Sequence, residues 1–190
     1  MADTGAPARG DQGSSGRNLR IGAVIAIALL VSLVVWLALR GCGPGPPSRA
    51  PARAMSLAQL RALARSVGHP VFWLGQRPSG TPPPTYEVSQ TKDRSIYIRY
   101  LPPGVAAGSN RTFLTVGTYP NNRAAATVRQ GLARPGAIRA HGPGGAVGVI
   151  NRARASSVYF ASSNGRFLIE VYDPNAARAR TLAPTAGPIH

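Results

Sequence analysis

The sequence predicts an α+β domain that follows a single N-terminal transmembrane helix. Three observations lead to this fold class. An uncharged apolar segment covers residues 21–39. Further along, two segments repeat apolar residues at three- and four-residue steps, as helices do, and the runs between them are rich in Val, Ile, Thr, Tyr and Phe, as strands are. The order helix, strands, helix, strands indicates an antiparallel sheet covered on one face by two or three helices.

The first 20 residues, MADTGAPARGDQGSSGRNLR, contain no large apolar residue between Met1 and Leu19. Such a segment cannot bury enough apolar surface to offset the conformational entropy of ordering. We expect residues 1–20 to form a disordered tail.

The apolar segment 21–39 has the length of a membrane span. At 1.5 Å per residue it forms a helix of about 28 Å, close to the roughly 30 Å hydrocarbon thickness of a bilayer. A cleaved secretory signal is less favoured, because its apolar core is shorter and Leu39-Arg40-Gly41 stands where a small-residue cleavage site would be. Cys42 is the only cysteine and follows Gly41, as in the lipobox motif of bacterial lipoproteins, so a lipid anchor is an alternative. Arg40, however, places a charge where that motif has a small neutral residue.

The orientation of the span is not decided by charge. Arginines flank both sides, three at positions 9, 17 and 20 and three at positions 40, 49 and 53. Long domains translocate largely regardless of charge, and a short charged tail before the first apolar segment is typical of a signal anchor. We therefore expect the N-terminus in the cytoplasm and the C-terminal domain outside the cell membrane.

A linker rich in Pro and Gly is predicted at 40–54, an extracytoplasmic α+β domain at 55–182 and a flexible C-terminus at 183–190. In MSLAQLRALARSVG, an apolar helix face is predicted, with Ser56 as N-cap, Gly68 as C-terminal stop, and Arg61 and Arg65 on the solvent side. The apolar positions are Leu57, Leu60, Leu63, Ala64 and Val67.

Strands are predicted around VFWLG, then at 85–91, 94–101 and 112–119, with Lys92-Asp93 as a hairpin turn. The segment QRPSGTPPP between the first two interrupts regular structure. NNRAAATVRQGLARPG predicts a second helix, capped by Asn121 or Asn122 and ended before Pro135. GAVGVINR, SSVYFASS and RFLIEVYD predict three further strands, the last two joined at Asn164-Gly165. PNAARARTLA predicts a final helical turn or two.

An internal echo also occurs at a spacing of 72 residues. It lays TKDRSIYIRYLPP on SNGRFLIEVYDPN and pairs Arg94 with Arg166, Tyr100 with Tyr172 and Pro102 with Pro174. Two readings stay open, a duplicated helix-and-hairpin unit and a chance likeness between two hairpins.

The chain is strongly basic, with 22 Lys and Arg, 6 Asp and Glu, and a formal net charge of +16. Lys92 is the only lysine, so one explanation is the codon bias of a GC-rich genome. The other is a surface that attracts polyanions such as phosphate-bearing envelope polymers or lipid headgroups. Nucleic acid is not favoured as a partner.

Residue types suited to catalysis are scarce beyond the apolar segment. The acids there are Glu87, Asp93, Glu170 and Asp173, and the histidines are His69, His141 and His190. The two Asp fall at predicted turns, and the two Glu fall in strands, where pairing with Arg on neighbouring strands is expected. GPGGAVG lacks the spacing and the following helix of a phosphate loop. We predict no catalytic, cofactor-binding or metal-ligating residues, hence no enzyme activity and no cofactor.

Four strings, ALARSVGHPVFWLG, YIRYLPPG, TVGTYP and EVYDP, resemble a group of single-pass membrane proteins from high-GC actinobacteria. The likeness covers roughly residues 56–175. It implies a membrane-tethered bacterial protein and transfers no activity, because no site residue is assigned in that group.

The sequence therefore favours a membrane-anchored, non-enzymatic domain that acts in interaction or envelope organisation through an Arg-rich surface. A second hypothesis is an accessory or sensor subunit of a membrane complex, whose span offers a partner helix the small residues Gly22, Ala23, Ala26 and Ala28. A third is a small-ligand-binding domain with a pocket near Trp73, Tyr86 and Tyr97.

Overall fold

A computed structural model describes residues 52–76 and 85–190, and they form an eight-stranded antiparallel sheet with three α-helices. The predicted tail (1–20), transmembrane helix (21–39) and most of the linker (40–54) lie outside these residues, as does most of the Pro-rich interruption. Within the described part, no helix is both long and apolar enough to cross a membrane. The α+β class predicted for the domain is confirmed.

The three helices are α1 (Leu57–Ser66), α2 (Ala124–Leu132) and α3 (Ala176–Leu182). The ten strands, in chain order, are β1 (Arg53–Met55), β2 (Phe72–Trp73), β3 (Thr85–Gln90), β4 (Ile96–Leu101), β5 (Thr115–Pro120), β6 (Ala137–His141), β7 (Val147–Asn151), β8 (Ser157–Ala161), β9 (Phe167–Tyr172) and β10 (Gly187–Pro188).

The large sheet has the strand order β1-β3-β4-β5-β9-β8-β7-β6. Two meanders, β3-β4-β5 and β7-β8-β9, meet where β5 pairs with β9, so that Val116 lies opposite Val171 and Gly117 opposite Glu170. In the order β3-β4-β5-β9-β8-β7, the two meanders are arranged symmetrically about the β5–β9 pair, so β4 of one corresponds to β8 of the other. The 72-residue echo instead relates β4 to β9, which both flank β5, so it does not coincide with the symmetry of the sheet.

One face of the sheet carries the main hydrophobic core. Ile98, Val116, Ile169 and Val158 belong to it and are each no more than 1% exposed. Leu60 of α1 and Ala179 of α3 join the same cluster, so these two helices cover this face. Successive side chains of a strand point to opposite faces, which places Tyr97, Arg99, Gly117 and Glu170 on the other face.

Helix α2 packs on that other face, contrary to the expectation of helices on one face only. A Cβ added to Gly131 of α2 would lie 3.2 Å from a methyl group of Val149, whereas Ile150, the next residue, is in the main core. The buried residues of α2 are Ala124 and Val128. Periodicity predicts which side of a helix is apolar, but it does not say which face of the sheet receives that side.

The predicted helix starts and turns are largely confirmed. Ser56 and Gln59 form a capping box at α1, and Gly68 follows that helix with φ of 74°. Asn175 caps α3 through the amides of residues 177 and 178. At α2 the predicted cap, Asn121 or Asn122, is wrong: the N-cap is Arg123, and Asn121, two residues earlier, accepts a hydrogen bond from the Arg123 amide.

The two ends of the predicted domain need correction. β1 begins at Arg53, inside the predicted linker, and pairs with β3. Residues 183–190 were expected to be flexible, yet Gly187 pairs with Trp73, and the amide of Ile189 donates to the carbonyl of Val71 at 2.9 Å. Ile189 is 9% exposed, and Ala183 and Ala186 are buried in the same core. Backbone pairing with β2 and burial of these three apolar residues hold this segment, and neither leaves a periodic pattern in the sequence.

Candidate functional site

The polar face is the sheet face opposite the main core. Along β3, β4, β5, β9 and β8 it carries two rows of directly paired residues. One row runs Ser89, Tyr97, Gly117, Glu170 and Tyr159, and the neighbouring row runs Glu87, Arg99, Thr115, Tyr172 and Ser157. Four of the six tyrosines of the chain, Tyr97, Tyr119, Tyr159 and Tyr172, are on this face.

Glu170 is the centre of the polar face. Glu170 is 9% exposed, and its carboxylate accepts hydrogen bonds from the hydroxyls of Ser157 and Tyr159, each at 2.7 Å, and from the hydroxyl of Tyr119. Burial of a carboxylate is costly unless hydrogen bonds replace the lost water. The arginine partner expected for Glu170 is therefore replaced by three hydroxyl donors.

Glycine at position 117 makes room for the tyrosine that reaches Glu170. A Cβ at Gly117 would lie 2.8 Å from the Tyr119 ring, which is closer than packed carbon atoms approach. The ring of Tyr97 meets that of Tyr119 edge-on, with centroids 5.5 Å apart and planes at 85°. The two aromatic rings and the carboxylate thus form one fixed arrangement.

Glu87, by contrast, has the arginine partner that was predicted. Its Oε1 lies 2.5 Å from a guanidinium nitrogen of Arg99, directly opposite on β4, and its Oε2 accepts from the amide of Gly108 at 2.9 Å. Arg99 also donates to the carbonyls of Ser109 and Arg111. The pair therefore holds the long β4–β5 connection, 102–114, against this part of the sheet.

Four arginines lie at the end of the sheet where this connection lies. They are among the ten arginines of residues 94–169, a segment that contains no Asp or Glu and whose other arginines are in strands, in a helix or at the opposite end. Because Ala137, Asn151 and Thr115 are all at strand ends on the same side of the sheet, the connections next to them share that end. They carry Arg111, Arg134, Arg152 and Arg154, which we call the basic sheet end.

Local contacts confirm how close two of these positions are. The carbonyl of Arg134 accepts from the amide of Ala137, and the amide of Arg152 donates to the carbonyl of Gly136 at 3.0 Å. At the other side of the end, the guanidinium groups of Arg99 and Arg111 lie 5.2 and 5.6 Å from the ring centroid of Phe113.

The four carboxylates of the described domain act within the fold. Beyond Glu87 and Glu170, Asp173 binds Arg178 at 2.6 Å and caps the amide of Asn175. Asp93 accepts from the hydroxyls of Thr91 and Ser95, and these hydrogen bonds, that of Thr91 foremost, hold the pKa of Asp93 below its usual value. Salt bridges join two of these carboxylates, Glu87 and Asp173, to Arg99 and Arg178.

The pocket expected near Trp73, Tyr86 and Tyr97 is not formed as one site. Trp73 and Tyr86 lie on the core side with ring centroids 6.3 Å apart, whereas Tyr97 points to the polar face. The Tyr86 hydroxyl is buried and, within the described residues, has no hydrogen-bond partner. Burial raises the pKa of Tyr86, and the nearby charge of Arg61 partly offsets that rise.

Other sequence signals have local roles. His69 stacks on Phe167, and its two ring nitrogens lie 2.9 and 3.2 Å from the carbonyls of Pro70 and Arg94. Residues of GPGGAVG form a short 3-10 turn and the start of β7. No group of three or more His, Cys, Asp or Glu suited to a metal ion occurs among residues 52–76 and 85–190.

Comparisons with protein families, with curated proteins and with solved structures find no match for this chain. Alternation along β4 and β5 already separates Tyr97 and Arg99 from the core. The link between Tyr119 and Glu170, 51 residues apart, leaves no local signal.

Proposed function

We propose that this chain is a membrane-anchored, non-enzymatic protein whose domain binds anionic polymers of the cell envelope through the basic sheet end. The observation that carries the proposal is that three different connections bring four arginines to one end of the sheet, while the nearby carboxylates of Glu87 and Asp173 are held in salt bridges. Such a field concentrates polyanions by long-range attraction.

The presence of exposed cations at both ends of the sheet allows a test that separates this proposal from general basicity due to codon bias. Arg111 and Arg152 are exposed and Arg134 is half-buried, and all three are at the same end of the sheet. Lys92, Arg123 and Arg166 are exposed at the opposite end, in the connections next to Gln90, Pro120 and Phe167. The chain thus contains a matched control set with the same total charge.

The test compares two triple variants of the full chain in neutral detergent micelles. Arg111, Arg134 and Arg152 are changed to Gln in one, and Lys92, Arg123 and Arg166 in the other. Binding of inorganic polyphosphate is measured by calorimetry at several salt concentrations. We expect the first variant to lose at least tenfold in affinity and part of the salt dependence, and the control to lose less than threefold. Equal losses would mean that only net charge matters, and no binding to the wild type would overturn the proposal.

The anchor is part of the proposal and has its own experiment. We infer that residues 21–39 cross the membrane once, with the domain outside. A membrane-impermeant thiol reagent is applied to intact bacterial cells that make the chain, with Cys42→Ser as control. Labelling at full-length mass is expected. Labelling only after lysis would place the domain in the cytoplasm, and a shortened, lipid-bearing and unlabelled species would replace the span by a lipid anchor.

The accessory-subunit hypothesis has less support from the domain itself. A docking surface for a membrane protein usually exposes a contiguous apolar patch. Within residues 52–76 and 85–190, Val147 is the one large apolar side chain counted as exposed, at 42%.

A further inference from the structure

Four tyrosines lie on the part of the polar face between α2 and the β4–β5 connection. α2 packs on strands β6 to β9, and the connection is held over β3 and β4 by Glu87 and Arg99. Tyr97, Tyr119, Tyr159 and Tyr172 are each partly exposed. We call these four residues the tyrosine strip.

Three residues of the strip, Tyr97, Tyr119 and Tyr159, are preorganised. Glu170 accepts hydrogen bonds from Tyr119 and Tyr159, and the Tyr97 ring packs edge-on against Tyr119. Aromatic side chains that are already fixed lose little conformational entropy when a ligand packs on them. A buried carboxylate beneath partly exposed phenols thus sets ring positions at the surface.

The chemistry of the strip favours a ligand that has both apolar faces and hydroxyl groups. A phenol ring presents an apolar surface and a polar tip. The C–H face of a sugar ring can pack on such a surface, and its hydroxyl groups can hydrogen-bond to a phenol oxygen or to a threonine hydroxyl such as that of Thr115, which lies opposite Tyr172. Inorganic polyphosphate has no apolar face and would not use the rings.

The arginines next to the strip add a requirement for negative charge. Arg99 lies opposite Thr115. The guanidinium groups of Arg99 and Arg111 both lie over the ring of Phe113. Tyr172 lies next to the basic sheet end. Its partner on β8 is Ser157, and the β7–β8 connection that carries Arg152 ends at Ser157. A polymer ligand that extends along the tyrosine strip toward the basic sheet end contacts aromatic side chains first and cationic side chains next.

We propose that the tyrosine strip binds the sugar rings of an anionic polysaccharide whose charged groups contact the basic sheet end. This inference rests on the proposed function and specifies its ligand class. Because nucleobases also stack on aromatic residues of sheets, single-stranded nucleic acid is the alternative that the experiment has to separate. The phenol oxygens of Tyr119 and Tyr159 donate to Glu170 and can still accept hydrogen bonds from the hydroxyl groups of a sugar, which a phosphate backbone lacks.

The experiment uses the full chain in neutral micelles with four probes: a dextran sulfate oligosaccharide, neutral dextran, inorganic polyphosphate and a single-stranded DNA oligonucleotide, the charged ones matched in charge. Tyr97 and Tyr172 are changed together to Ala, and in a second variant together to Phe. We expect the Ala variant to bind dextran sulfate about tenfold more weakly while polyphosphate binding stays within twofold. The Phe variant should stay within threefold, because it keeps the rings. Tyr86→Phe, on the other face, is the control.

Three results would overturn the inference while leaving the proposed function in place. The first is that the Ala variant binds dextran sulfate as tightly as the wild type does. The second is that the binding of dextran sulfate and the binding of polyphosphate depend equally on the tyrosines. The third is that the oligonucleotide binds more tightly than dextran sulfate and needs the same tyrosines. If no polyanion binds, the proposed function itself fails.

A second measurement does not depend on folding of the Ala variant. Tyrosine nitration of the wild type by tetranitromethane is mapped by mass spectrometry with and without dextran sulfate. Protection of Tyr97 and Tyr172 by dextran sulfate, but not by polyphosphate, is expected. Equal nitration in the presence and absence of the saccharide would overturn the inference.

Discussion

Tyr119 reaches diagonally across the β5–β9 pair to donate its hydroxyl to Glu170, and it does so over Gly117, the residue directly opposite Glu170. The absence of a side chain at one position therefore determines where the phenol of another lies. This relationship connects the two meanders of the sheet at the centre of the polar face.

Gly117→Ala is expected to lower the free energy of unfolding by about 1–3 kcal/mol, because the new methyl group overlaps the Tyr119 ring. Urea unfolding measures the change. Gly187→Ala is the control, since a Cβ there meets nothing within 4 Å. Equal stability of Gly117→Ala and wild type would show that the ring does not need its position over residue 117.

Glu170→Gln should also be destabilising, by about 1–3 kcal/mol. The carboxylate accepts three hydroxyl hydrogen bonds, and the amide nitrogen of Gln cannot accept any. Ser157→Ala, which removes only one donor, should cost less in the same urea titration. If Ser157→Ala costs more than Glu170→Gln, Glu170 is not the centre of this network.

Asp93 predicts a dependence of stability on pH. Its pKa is lowered in the folded domain, mainly by the hydrogen bond from Thr91, so its contribution is present above the unfolded pKa of about 3.9 and is lost as pH falls through the folded value. Asp93→Asn should lower the urea midpoint at pH 7, and the difference from wild type should shrink below about pH 4. A difference that persists unchanged at pH 2 would contradict this account.

The two tyrosines of the core, Tyr86 and Tyr100, allow a comparison of two buried hydroxyl groups. Tyr86→Phe removes a buried hydroxyl without a described partner, so we expect stability to stay equal or to rise. Tyr100→Phe removes the acceptor of the Leu74 amide, 2.7 Å away, and should cost about 1–3 kcal/mol. Thermal unfolding separates the two. A large loss for Tyr86→Phe would reveal a hydrogen bond made outside the described residues.

The C-terminal segment can be tested with adjacent residues. Ile189→Ala should lower the free energy of unfolding by about 2 kcal/mol, because the side chain is buried against the core. His190 is exposed, so His190→Ala should change it by less than about 0.5 kcal/mol. Identical unfolding curves for both variants would contradict the burial of Ile189 and would support the expectation that residues 183–190 are a flexible tail.

The local structure was largely readable from the sequence, since it depends on neighbours along the chain. Ser56 marks the start of α1, Asn164-Gly165 joins β8 to β9, and alternation in β4 separates Ile98 from Arg99. β6 is not predicted by the sequence, because only two of its residues, Ile138 and Ala140, face the core, and the strand is short and lies between Pro135 and Gly142.

By itself, then, the sequence determined the α+β class, the apolar side of each helix and the excess of arginine. The tertiary structure alone decided that α2 lies on the polar face, that β5 pairs with β9, and that Glu170 takes hydroxyl partners instead of an arginine. The reason is that periodicity is a property of residues a few positions apart. Which strand becomes a neighbour depends instead on how the whole sheet buries its apolar face, and this brings together residues such as Tyr119 and Glu170.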